Sequence, residues 1–76
     1  MPKTPLRKAR EVSLLTQEEV AARARIDQSH YNRIELGRLA CSADVAARLA
    51  RIFKRRGISE VHILYPRRYR SFQPEA

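Results

Sequence analysis

Much of what catalysis, metal binding or secretion requires is scarce or missing in this chain. A single cysteine, Cys41, cannot close an internal disulfide. The two histidines, His30 and His62, lie far apart, and no four-ligand metal set emerges around them. No apolar run approaches the length of a membrane span, and no signal-peptide core is visible. These absences fit a reducing, cytosolic setting with no membrane partner. The chain has two glycines and no Gly-rich phosphate loop. No nucleophile sits beside a base, no carboxylates cluster, and 76 residues leave little room for a substrate pocket. Neither an enzyme nor a bound cofactor or metal is expected. Aromatic residues make up only 7%, too few for the stacking platform of single-strand recognition. Acidic residues are outnumbered, eight Asp and Glu against sixteen Lys and Arg, for a net charge of +8. Such an excess favours a polyanionic partner: DNA, RNA, an anionic membrane or an acidic protein.

What is present reads as helices around one small core. Pro2 and Pro5 bracket the start of a first helix, over residues 6–13, with Leu6, Ala9, Arg10 and Ser13 on one face. Thr16-Gln17-Glu18-Glu19 is a capping box: the Thr16 hydroxyl accepts from the Glu19 N–H while the Glu19 carboxylate reaches back to the Thr16 N–H. Val20, Ala21 and Ala24 then form a buried stripe. A third helix starts at Asp27 or Gln28, brings Tyr31 and Ile34 against Ala24, and ends at Gly37 as a left-handed cap. Ser42 caps a fourth helix built on Val45, Leu49, Ile52 and Phe53, which Gly57 stops. Cys41 reads as a small filler of loop or core. Ser59 caps a last element over residues 60–65, where Val61, Leu64 and Tyr65 are expected to help close the core; its composition also suits a strand. The expected class is all-α, a compact bundle of four to five helices, with a short C-terminal strand as the alternative to the fifth. Residues 1–4 are expected to form an arm, 5–66 the domain and 67–76 a flexible basic tail.

The stretch from Thr16 to Gly37 carries the chemistry. Two short helices meet at a tight turn, and the second carries Gln28, Ser29, Asn32 and Arg33, with 28–29 and 32–33 one turn apart on one side. Amide, hydroxyl and guanidinium groups are what base edges in a DNA major groove hydrogen-bond. Taken singly, these residues describe any solvated helix face; together with the charge they point to base readout. His30 is expected to be exposed or on the phosphate side, and His62 at the surface or a dimer edge. Arg48, Arg51, Lys54, Arg55 and Arg56 fit three readings: a solvated helix end, long-range attraction to DNA, or a membrane-surface helix, which would lack the bulky apolar face such helices use. Tyr69, Arg70 and Phe72 either stack on nucleic acid or belong to a disordered tail.

The set Leu6 and Arg10, Thr16-Gln17-x-Glu19-Val20-Ala21, Ile26, Gln28-Ser29, Ile34-Glu35-x-Gly37, and Ser42 with Leu49-Ala50 resembles the phage repressor and Cro type of helix-turn-helix domain. The resemblance spans residues 5–65, and the spacing Gln17–Gln28–Gly37 is its most specific part. It implies a helix-turn-helix bundle, often dimeric, with the third helix in the major groove of an operator. By resemblance, Gln28, Ser29 and Arg33 face bases, and Asn32 faces a base or the backbone. Gln17 donates to a phosphate and braces Gln28. Arg38 and Leu39 lie along the phosphates, and Arg10 pairs with Glu35 inside the domain. Where this chain has Arg25, the family usually has glycine at a position of positive φ, which costs another residue roughly 1 kcal/mol.

A regulator of transcription of a bacterium or its phage, cytoplasmic, nucleoid-associated and repressing as a homodimer, is the expectation that follows. Val61, Ile63, Leu64 and Tyr65 are more apolar than one short segment needs, so some of this surface is expected to meet a second copy. The alternative is an adaptor or antitoxin whose main partner is a toxin or a polymerase subunit.

Overall fold

Local signals set where each helix begins and ends. In the computed structural model, which describes residues 3–38 and 41–75, five helices follow one another: α1 (Pro5–Val12), α2 (Gln17–Ala24), α3 (Gln28–Glu35), α4 (Ala43–Ile52) and α5 (Glu60–Leu64). Two 3-10 turns, Lys54–Arg56 and Pro66–Tyr69, follow α4 and α5. Side-chain oxygens of Thr4, Thr16 and Ser42 accept from the N–H groups of Arg7, Glu19 and Val45, meeting donors that a helix start leaves unpaired. The capping box at α2 is complete, with the Thr16 N–H donating to Glu19 Oε1 at 3.0 Å. The segment that allowed a strand is the short helix α5, and no strand occurs among the described residues.

A spacing of five residues recurs at these starts. The residue before the cap and the fourth residue of the helix are both apolar: Leu15 and Val20, Ile26 and Tyr31, Cys41 and Ala46, Ile58 and Ile63. All eight lie in the core or against it. Such a pair fixes the angle at which the chain enters a helix. It also explains Cys41, which is half-buried and whose thiol pKa burial pushes up, away from reactivity.

The ends of α1, α2, α3 and the 3-10 turn Lys54–Arg56 share a left-handed residue, whereas α4 and α5 end on Phe53 and Tyr65 with negative φ. At Leu14, Arg25, Gly37 and Gly57, φ is +58°, +61°, +75° and +85°. At α3 the Arg38 N–H reaches Arg33 O at 2.9 Å and the Gly37 N–H reaches Ile34 O at 3.0 Å. The same pair of bonds closes α2, from Ile26 to Ala21 and from Arg25 to Ala22. This is the Schellman ending, for which glycine is the cheapest residue. Arg25 accordingly carries left-handed strain of roughly 1 kcal/mol in the turn between α2 and α3. Leu14, after α1, takes the same conformation with its side chain in solvent.

The core is Leu6 and Ala9 of α1, Val20, Ala21 and Ala24 of α2, Tyr31 and Ile34 of α3, Val45, Ala46 and Leu49 of α4, and Phe53, Ile58 and Ile63. It lies between α2 and the helices packed on either side of it, α3 and α4, and is closed by α5. Two expectations need correction here. Val61 and Tyr65 are exposed and do not close the core, whereas Ile63, expected at a dimer interface, is 5% exposed within it. The cause is the spacing above: Ile58 turns Ile63 inward, which leaves Val61 and Tyr65 on the outer side.

The chain after Tyr65 also differs from a free tail. Lys8 Nζ donates to the backbone oxygens of Arg70 and Phe72 at 2.8 and 2.9 Å. The Phe72 ring packs against the core, and the Glu75 N–H donates to Arg56 O. His62 lies between the rings of Tyr69 and Phe72, with centroids 4.6 and 4.5 Å away. Arg56 donates to Ser13 Oγ and Glu75 O, and Arg48 to Ala24 O, so two members of the basic cluster make structural contacts. Arg51, Lys54 and Arg55 remain exposed.

Candidate nucleic-acid interface

A buried anion must be met by donors, and this requirement organises the site. Glu35, the last residue of α3, is 1% exposed and is the one buried charged residue among those described. Arg10 of α1 donates to it from Nε to Oε1 and from Nη2 to Oε2. Tyr31 Oη donates to Oε1 at 3.0 Å and Gln17 Nε2 to Oε2 at 2.6 Å. Arg10 Nη1 also donates to Leu15 O, and Thr4 Oγ1 donates to the backbone oxygen of Glu35. No buried side-chain polar atom among the described residues lacks a partner. One carboxylate thus ties α1, α2 and α3 together. The hydrogen bond to Glu35 raises the Arg10 pKa, and burial, reinforced by the Glu35 charge, raises that of Tyr31, so both groups keep the proton they donate.

With Tyr31, Ile34 and Glu35 turned inward, the opposite side of α3 faces solvent. Gln28, Ser29 and Arg33 are exposed there, as is Arg38 just beyond the helix. Asn32 is half-buried at the edge of this face. Its Oδ1 accepts from Gln17 Nε2 at 2.9 Å, which leaves its amide nitrogen as the donor without a partner among the described residues. His30 is half-buried and makes no side-chain hydrogen bond to a described residue. Leu39, expected along the phosphates, lies outside the described residues, as do Met1 and Pro2 of the arm and Ala76.

Gln17 is engaged within the protein. Both hydrogens of its amide are engaged, one by Asn32 and one by Glu35, so none is left for a phosphate, and no hydrogen bond joins it to Gln28. The buried carboxylate is the stronger claimant, because an ionised acceptor deprived of a donor inside a fold is costly. The side chain therefore braces Asn32 rather than Gln28.

At the other end of α3, Gly37 has room for a side chain, and its φ of +75° is what favours glycine. A Cβ there would meet Pro66 Cγ and Thr4 Cγ2, each at 3.7 Å. Beside it opens a cleft of about 460 Å³, lined among others by Lys3, Arg38, Arg67 and Arg70. Reading residues 67–76 as a tail misses the last two. The available signal was Phe72, an aromatic ring that needs a place to pack. Across α5, Val61, Tyr65 and Leu36 are large apolar side chains left partly in solvent, and Leu64 is half-buried. The Arg68 guanidinium lies over the Tyr65 ring, 4.8 Å from its centroid.

No group of three or more His, Cys, Asp or Glu residues placed to hold a metal occurs among the described residues, and no helix there is long and apolar enough to cross a membrane. A family model described as a helix-turn-helix domain matches residues 5–60. No curated protein and no solved structure matches the chain.

Proposed function

This chain belongs to the helix-turn-helix domain family, and on that premise we propose that it is a sequence-specific regulator of transcription, a repressor that lays α3 in the major groove of double-stranded operator DNA. The observation that carries the reading is the division of α3 into two faces. One is pinned by the Glu35 network, and the other holds Gln28, Ser29 and Arg33 in solvent. Arg33 suits guanine and Gln28 adenine by bidentate geometry, each discriminating by roughly 1–3 kcal/mol. Asn32, held by Gln17, offers its amide nitrogen to a base acceptor or the adjacent backbone. His30 within α3 and Arg38 beyond its end are phosphate contacts, and at Gln17 the group that remains for a phosphate is the backbone N–H.

A homodimer through Val61, Leu64 and Tyr65 sets two copies of α3 about 34 Å apart, one turn of duplex, on a near-palindrome. Repression is then steric, by occupation of a site that polymerase needs, in a bacterial cytoplasm at the nucleoid. Selection of bound sequences from random duplexes, followed by footprinting, tests this. The expected result is a near-palindrome with two protected half-sites. Binding without sequence preference, or a single unrepeated footprint, contradicts it. The exposed apolar group of Leu36, Val61 and Tyr65 favours one second reading, an antitoxin or adaptor whose main partner is a toxin or a polymerase subunit. Tight protein binding with no DNA preference would support that instead.

A further inference from the structure

Residues 66–75 fold back along α1 and α5, and that return has a consequence for charge. Pro66 opens the 3-10 turn, Lys8 holds the backbone at Arg70 and Phe72, and Phe72 is seated against the core. Held this way, Arg67 and Arg70 line the same cleft as Arg38, which follows Leu36 and Gly37 at the end of α3. Pro66 lies beside Gly37, whose φ of +75° turns the chain from α3 toward Arg38.

The three guanidinium groups have no carboxylate within ion-pair distance among the described residues. Lys3, at the rim, is different: its ammonium lies 2.8 Å from Glu11. Arg68 is different again, being placed over Tyr65. Arg38, Arg67 and Arg70 are thus cations that share one concave surface at the end of the reading helix, with no carboxylate paired to them among the described residues. A row of anions spaced along a backbone is the ligand such a surface fits.

We propose that Arg67 and Arg70 bind DNA phosphates, so that the C-terminal segment continues the backbone contact that begins at Arg38. The inference rests on the reading of α3 as a DNA-binding helix and adds to it a contact from outside the matched residues 5–60. Each phosphate neutralised contributes about 0.9 to the slope of log K against log salt.

The test is a titration of the parent chain with operator duplex at several salt concentrations, beside three variants: Arg67→Ala/Arg70→Ala, Arg67→Lys/Arg70→Lys, and Arg51→Ala/Arg55→Ala. The third removes the same net charge from exposed positions on and just after α4. The alanine pair at 67 and 70 is expected to flatten the slope by about two units while leaving the operator-to-random ratio near that of the parent. The lysine pair should keep most of the slope, and the α4 pair should shift affinity with the slope retained. Equal slopes for the two alanine pairs would overturn the proposal and leave the reading of α3 standing. So would a lysine pair as flat as the alanine pair, because the effect would then be one of shape rather than charge. A parent chain that binds no duplex would remove both.

Discussion

The first three helices and the C-terminal segment are held in different ways. In the first region a buried carboxylate collects donors from Arg10, Gln17 and Tyr31, and breaking any one leaves a charge or a dipole short of a partner. In the second, a half-buried ring, two hydrogen bonds from Lys8 and the stacking of His62 fix the chain. Either arrangement gives order, but only the first makes order in one helix depend on two others. A helix that reads bases must hold its side chains to a fraction of an ångström, and the network sits directly behind that face. A segment that touches phosphates needs charge in roughly the right place, and lighter fixing suffices.

This contrast fails if the two regions respond alike to mutation. The largest expected effect is at Glu35. Glu35→Ala leaves the half-buried Arg10 without its carboxylate and Gln17 and Tyr31 without an acceptor, a change that costs about 3 kcal/mol, the lower end for a fully buried pair. At about 4–8 °C per kcal/mol for a domain of this size, the melting temperature should fall well beyond what a surface substitution does. A melting temperature equal to that of the parent would remove the network from its central place. Phe72→Ala should cost about 1 kcal/mol, because the ring is only half-buried. Its signature is local: the amide of Glu75 should lose protection from hydrogen exchange while those of α3 keep theirs. Loss of protection in α3 to the same degree would mean that the two regions form one cooperative unit.

The smallest effect concerns pH. Burial lowers the His62 pKa below its ordinary 6.5, and Nδ1 accepts the Ser59 N–H only when unprotonated. The folded state therefore binds fewer protons here than the unfolded chain. The contribution is fully present above pH 6.5 and is lost as pH falls below it. Between pH 7 and 5 the protection of amides in α5 and residues 66–75 should decline. His62→Gln keeps a capping residue that does not titrate, and should abolish the decline. An unchanged decline in that variant would assign it to other groups.

The sequence was most legible where a signal is local and repeated. Thr16 with Glu19, Ser42 and Gly37 mark helix boundaries by caps that few residues can make, and these boundaries lie where spacing predicts them; Gly57 instead ends the 3-10 turn Lys54–Arg56, because α4 itself already stops at Ile52. The strained φ at Arg25 was legible too, because the family resemblance marks the position. Leu14 was not, since nothing in its neighbourhood demands a left-handed residue. α5 was misread on its orientation: five residues are too few for periodicity to choose a face, and the informative pair, Ile58 and Ile63, straddles the cap. The internal partners of Gln17 were not legible, because its amide is engaged by a carboxylate eighteen positions away, which no local pattern contains. The return of residues 66–75 depends on Lys8 and is likewise non-local.

The central claim is that the outer face of α3 reads sequence. A competition titration of operator against random duplex, for the parent and for Gln28→Ala and Arg33→Ala, tests it most directly. Both variants keep the Glu35 network, so they should remain folded. The account predicts that each lowers the operator-to-random ratio by roughly 1–3 kcal/mol, with preference relaxed at one or two positions per half-site. Ratios equal to that of the parent for both variants would contradict it.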